Sequence, residues 1–96
     1  MQENNLIKAI IQNELTVVRN YAGDVNFRSI GGNTPLMIAV SWQRKDIVRA
    51  LIDNGAQIYA KNNHNRTVFD IIKQQQTTPV WHGILAIPEQ YQYPNY

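Results

Sequence analysis

The sequence predicts an all-α fold, a short solenoid of helical repeats, and three observations carry that prediction. First, Gly32-Asn33-Thr34-Pro35-Leu36-Met37-Ile38-Ala39 returns 33 residues later, in weaker form, as Asn65-Arg66-Thr67-Val68-Phe69-Asp70-Ile71-Ile72. A fixed period of this length marks a stack of repeats. Second, the offset holds beyond that segment. Ile47 and Val48 map to Val80 and Trp81, Leu51 and Ile52 to Ile84 and Leu85, and Asp24-Val25-Asn26 to Gln57-Ile58-Tyr59. Third, apolar residues within a unit fall at helical spacing, as Leu36, Ala39 and Val40 do. A chain of 96 residues is one domain at most. Its single core is marginal, but a stack in which each unit covers its neighbour needs only about three units.

The first unit, about residues 4–29, is abbreviated. Leu6, Ala9 and Ile10 match Leu36, Ala39 and Val40 at an offset of 30, and Val17, Val18 and Tyr21 match Ile47, Val48 and Leu51 at the same offset. Beyond Ala22 the offset becomes 33, so the second helix or its exit turn is shorter. An atypical terminal unit is expected, because one of its faces meets solvent.

The second unit, residues 30–62, reads most clearly. Thr34 is a helix N-cap and Pro35 suits the first helical position, where a missing N–H costs nothing. Polar Gln43-Arg44-Lys45 interrupts the pattern. Asp46 is the expected cap of a second helix, with Ile47, Val48, Leu51 and Ile52 on its apolar face. Asn54-Gly55 ends it, glycine supplying a left-handed residue. An extended loop then leads to the third unit.

The third unit, residues 63–87, is degenerate. Thr67 caps a helix through Lys73, and Thr78-Pro79 repeats the cap-and-proline start signal. Val80, Trp81, Ile84 and Leu85 predict a second helix, weakened at Gly83 by about 1 kcal/mol relative to alanine. Residues 88–96 form a tail without helical period. Its Tyr91, Tyr93 and Tyr96 read either as a recognition segment or as a lid over the last helix pair.

Composition excludes much. There is no cysteine, hence no disulfide and no thiolate site. No apolar run approaches the ~20 residues of a membrane span. Met1-Gln2-Glu3-Asn4-Asn5 lacks the features of a signal peptide, so a cytoplasmic location is expected. The net charge of +2 and pI of about 9.1 are mildly basic, short of the dense stripe nucleic acid requires. His64 and His82 are isolated, and no metal or other cofactor is expected. Neither a phosphate-cradling loop nor a serine-nucleophile motif is present. Gly31-Gly32 reads as loop geometry, and Asp70 has no partner base. No enzymatic activity is expected.

Thr34-Pro35-Leu36-Met37-Ile38-Ala39, then Asp46-Ile47-Val48-Arg49-Ala50-Leu51-Ile52, then Asn54-Gly55-Ala56 resembles an ankyrin repeat. The family pattern is T-P-L-H-x-A-A, a V-V-x-L-L run and G-A-D-V-N, and Asp24-Val25-Asn26 is similar to its ending. The resemblance covers residues 4–87. Met37 and Asp70 depart from its histidine, Gln43-Arg44 from its Gly-His, and Val68 from its proline. It implies three helix-turn-helix units with extended β-hairpin-like loops, and a non-catalytic role in binding another protein; fold alone does not establish that role.

The family's variable contact positions map to Ile11 and Gln12 in the first unit, to Ile30, Asn33, Ser41 and Trp42 in the second, and to Asn63, His64, Arg66, Gln74 and Gln75 in the third. They are expected to form one ladder down the concave face. Trp42 lies outside the Leu36/Ala39/Val40 stripe, so it is either a binding hot spot or a ring packed back near Ile11. Arg28 and Lys61, 33 residues apart, form with Arg66 a candidate electrostatic edge for an acidic partner, or merely solvated loop charges. Phe27 and Tyr59 read as loop contacts or as packing between adjacent loops.

Three classes of function follow. The first is a protein-interaction module, either an immunity or antitoxin protein that occludes a cognate toxin, or a host-directed effector or adaptor. The chain's own starting Met and three-repeat size fit small bacterial or viral proteins of this kind. The second is nucleic-acid binding through Arg28, Arg44, Lys45, Lys61 and Arg66. The third is an enzyme, for which no catalytic constellation exists. A monomer or weak homodimer is expected.

Overall fold

The computed structural model describes residues 2–89, with the side chains of residues 2–4 and of Ile30 outside that description. Five helices run in order: α1 (Gln2–Ile11), α2 (Leu15–Arg19), α3 (Pro35–Ser41), α4 (Lys45–Asp53) and α5 (Val68–Gln75). Two 3₁₀ turns, Ile30–Gly32 and Thr78–Trp81, complete the elements, and no strand occurs among the described residues. Helix α1 packs on α3 and α3 on α5, forming an inner row, while α2 packs on α4 in an outer row. The result is a short helical solenoid.

The start signals act as their residues dictate. The Thr34 side chain accepts from the Met37 N–H at 3.3 Å, with Pro35 in the first turn of α3. Thr67 accepts from the Phe69 N–H at 3.2 Å, and the Thr67 N–H donates to the Asp70 carboxylate at 2.8 Å. That is a capping box, which satisfies two N–H groups the helix leaves open. The family departure at Asp70 therefore has a local structural role.

Two expectations need correction. Asp46 does not cap α4: Arg44 occupies the cap position and Asp46 lies in the first turn, where its charge favours the helix dipole. The second helix of the third unit shrinks to the 3₁₀ turn Thr78–Trp81. Gly83 follows at φ 84°, a left-handed conformation that ends helical progress. Trp81 and Leu85 are nevertheless buried, so the apolar side chains reach the core without a full helix. The α2 helix is five residues long against nine in α4, which accounts for the shortened first unit. The tail expectation for Tyr91, Tyr93 and Tyr96 lies outside the described residues.

One continuous core runs through the stack. Leu6, Ile10, Val18, Leu36, Met37, Val40, Ile47, Val48, Leu51, Phe69, Ile72 and Trp81 are all fully buried. Each such large side chain contributes roughly 1.5–3 kcal/mol by leaving water. The loops are hairpin-like without strand pairing. The Ser29 N–H donates to the Asn33 carbonyl at 2.9 Å, and Asn62 repeats the bond to Arg66 at 3.0 Å. Gly32, at φ 77°, is buried against Asn63, and an added Cβ would stand 2.4 Å from the Asn63 side-chain oxygen. Only glycine fits such an approach, which is why the Gly31-Gly32 pair is there.

Candidate functional site

The candidate surface is built by three equivalent helix ends. Helices α1, α3 and α5 stop at left-handed residues, Asn13 (φ 61°), Gln43 (φ 56°) and Gln76 (φ 59°). In each case the next N–H reaches back to close the turn: Glu14 to Ala9 at 2.8 Å, Arg44 to Ala39 at 2.9 Å and Thr77 to Ile72 at 3.1 Å. This closure satisfies helix-end carbonyls. It also leaves the preceding side chains, Gln12, Trp42 and Gln75, exposed at matching positions.

Trp42 is 50% exposed. The residue that spans to Ile11 is Arg44, whose Nη2 donates to the Ile11 carbonyl at 2.6 Å. Its guanidinium carbon lies 5.8 Å from the Trp42 ring centroid, a cation–π distance contributing about 0.5–1 kcal/mol at exposed sites. The Arg44 Nε is buried without a hydrogen-bond partner. Arg44 thus ties the indole platform to the preceding helix pair.

Several other candidates gather beside Trp42. The Gln75 side-chain amide donates to the Ser41 carbonyl at 3.1 Å, and Arg66 Nη1 donates to the Gln74 side-chain oxygen at 3.3 Å. At the loops, Asn62 Nδ2 donates to the Asn33 side-chain oxygen at 3.0 Å, and the Asn63 N–H to the Gly31 carbonyl at 3.0 Å. His64 is exposed, its N–H bonded to the Asn62 side chain at 2.9 Å. Ile11 is half-buried and contributes its carbonyl to Arg44. Gln12 is exposed at the far end of the stack, on a groove of ≈ 310 Å³ shared with Lys8 and Glu14. The Ile30 side chain lies outside the described residues.

The basic edge is tethered. Arg28 Nη1 donates to the Gly32 carbonyl at 3.2 Å and also to the Lys61 carbonyl. Arg28, Arg44 and Arg66 are therefore each committed to a neighbour on the chain. Phe27 is half-buried against the core. Tyr59 is 67% exposed, yet its ring lies 5.5 Å from that of buried Phe69.

The spacing argument missed what joins the loops. Asn26 Nδ2 donates to the Gly55 carbonyl at 3.1 Å, while its Oδ1 accepts from the Gln57 N–H at 2.8 Å. One amide thereby saturates two backbone groups of the next loop. The signal was present in the plentiful asparagines, whose short amides bond nearby backbone, but their partners are 29 and 31 residues away. Among the described residues, no group of three or more His, Cys, Asp or Glu could hold a metal, and no helix is long and apolar enough to cross a membrane. A second groove, of ≈ 500 Å³, lies on the outer side of the first helix pair, over Leu6, Val17 and Tyr21. Val17 is 44% exposed there, whereas its counterpart Ile47 is fully buried under the preceding pair.

Comparison with known proteins agrees with this architecture. The ankyrin-repeat family model matches residues 31–63. Protein fem-1 homolog C of Xenopus laevis is 34% identical over 53 residues, which is 55% of this chain and 9% of that protein. A chain in the solved complex of the predatory endopeptidase Bd0816 from Bdellovibrio bacteriovorus with immunity protein Bd3460 superposes with a TM-score of 0.67. It is 27% identical and covers 81% of this chain and 42% of that one. The chain thus spans less than half of each protein it matches. With the repeat matched in sequence and the helical stack matched in structure, the chain is an ankyrin-repeat protein.

Proposed function

We propose that this chain binds a protein partner through the surface centred on Trp42 and acts as an immunity protein, occluding an enzyme that would otherwise be harmful. The observation that carries the reading is the half-exposed Trp42, held by Arg44 and flanked by Ser41 and Gln75. An exposed, pre-positioned indole beside adaptable polar groups is the composition of a binding hot spot. The likeness to a chain from an endopeptidase–immunity protein complex supports occlusion over an adaptor role. The tethering of Arg28, Arg44 and Arg66 weighs against nucleic acid.

The test uses the whole chain as bait in its source organism, with Trp42→Ala as the paired control. The expected capture is one stoichiometric enzyme whose activity falls when the purified chain is added. Trp42→Ala should weaken that inhibition by about 2 kcal/mol of binding energy, while shifting stability by no more than roughly 0.5 kcal/mol, as for a surface position. A partner without hydrolytic or toxic activity would overturn the immunity reading. Undiminished binding by Trp42→Ala would overturn the surface.

A further inference from the structure

The geometry points to Asn54-Gly55 as a site of spontaneous deamidation that loosens the first helix pair from the second. This inference is independent of the partner. Asn54 caps the exposed C-terminal end of α4, and Gly55 follows it with no side chain and open space around its Cα. Glycine after asparagine leaves the attacking backbone nitrogen unshielded. The chain holds a single Asn-Gly pair.

The reaction needs only water. The Gly55 backbone nitrogen loses its proton and attacks the Asn54 side-chain carbonyl carbon. A C–N bond forms, the bond to Nδ2 breaks, and ammonia leaves. Water then opens the succinimide at either carbonyl, giving aspartate or isoaspartate. In the folded chain the Gly55 N–H donates to the Ile52 carbonyl at 3.0 Å, and Asn54 holds ψ near 10°. The last turn of α4 must therefore fray for the ring to close. Helix ends fray at low free-energy cost, so the reaction proceeds from the native state at a rate set by that fraying.

The consequence follows from what the amide does. Asn54 Nδ2 donates to the Val18 carbonyl at 3.2 Å and the Arg19 carbonyl at 3.4 Å, joining α4 to the end of α2. A carboxylate at this position has no proton to donate, and it faces two carbonyl oxygens. It also stands at a helix C-terminus, where negative charge is unfavourable, and next to Asp53. The weakened junction is the one that Arg44 also bridges.

The experiment incubates the whole chain in warm, mildly alkaline buffer for several days and maps it by trypsin and mass spectrometry. Cleavage after Arg49 and Lys61 yields residues 50–61, a peptide in which Asn54 is the one asparagine. The expected result is an amide-to-acid mass gain in that peptide before any other, with two separable products. Asn54→Asp should lower the Tm by about 4–8 °C, the shift that losing roughly one hydrogen bond causes in a domain this size. Asn54→Gln, whose longer side chain cannot form the five-membered ring, should stay unmodified. Earlier conversion at another asparagine, or none at Asn54, would overturn the site. An Asn54→Asp Tm at or above the parent's, as rescue by the Arg19 side chain would give, would overturn the loosening.

Discussion

Gln43 turns the chain between α3 and α4 at φ 56°, and replacing it with glycine should stabilise the protein. A left-handed conformation costs an L-residue about 1–2 kcal/mol, because its Cβ crowds the following carbonyl. Glycine escapes that crowding but loses about 0.5–1 kcal/mol through the greater freedom of its unfolded chain. The net gain for Gln43→Gly is then about 0.5–1 kcal/mol. The Gln43 side chain is exposed, so no core contact is lost. Gln76 occupies the same position after α5, at φ 59°, and is also exposed. The double substitution should gain about 1–2 kcal/mol if the sites act independently, and each kcal/mol raises the Tm by roughly 4–8 °C. Asn13, at φ 61°, provides the internal control. Asparagine tolerates this region better than glutamine, so Asn13→Gly should gain less. Thermal and urea unfolding followed by circular dichroism would read all four variants. A Gln43→Gly Tm equal to or below the parent's, or a larger gain at Asn13, would refute the strain argument.

Two further outcomes are expected in the same assays. Asn26→Ala removes both bonds between successive loops and should cost about 1–2 kcal/mol, since each net hydrogen bond is worth about 1 kcal/mol; a loss no larger than that of Asn65→Ala would show that the loops stack without it. Asp70→Ala opens the capping box at α5 and should cost about 0.5–2 kcal/mol, whereas Asp70→Asn should retain part of that, because its amide oxygen still accepts from the Thr67 N–H; an unchanged Tm in both would deny the cap.

Much of the frame was legible because it rests on short-range rules. Thr34, Pro35 and Thr67 announce helix starts through bonds spanning two or three residues. Leu36, Ala39 and Val40 face inward because the helical period puts them on one side. The position of Trp42 outside that stripe accompanies its half-exposed state. The candidate surface was less legible. Trp42, Ser41 and Gln75 are neighbours in space, but Gln12 lies beyond the described contacts of that cluster. Arg44 read as a loop charge, yet it crosses to Ile11, 33 residues earlier.

The sequence by itself determined the repeat, its caps and its buried stripe, since these follow from local hydrogen bonding and helical periodicity. Tertiary structure alone decided where the amides and guanidiniums went. Asn26 to Gly55, Asn54 to Val18, Arg28 to Lys61 and Arg44 to Ile11 are contacts between units, set by how closely one unit stacks on the next. Stacking likewise decided that Trp81 and Leu85 could be buried from a 3₁₀ turn and the loop after it. The neighbouring helices supply an apolar wall there, and burial against it outweighs the missing helix.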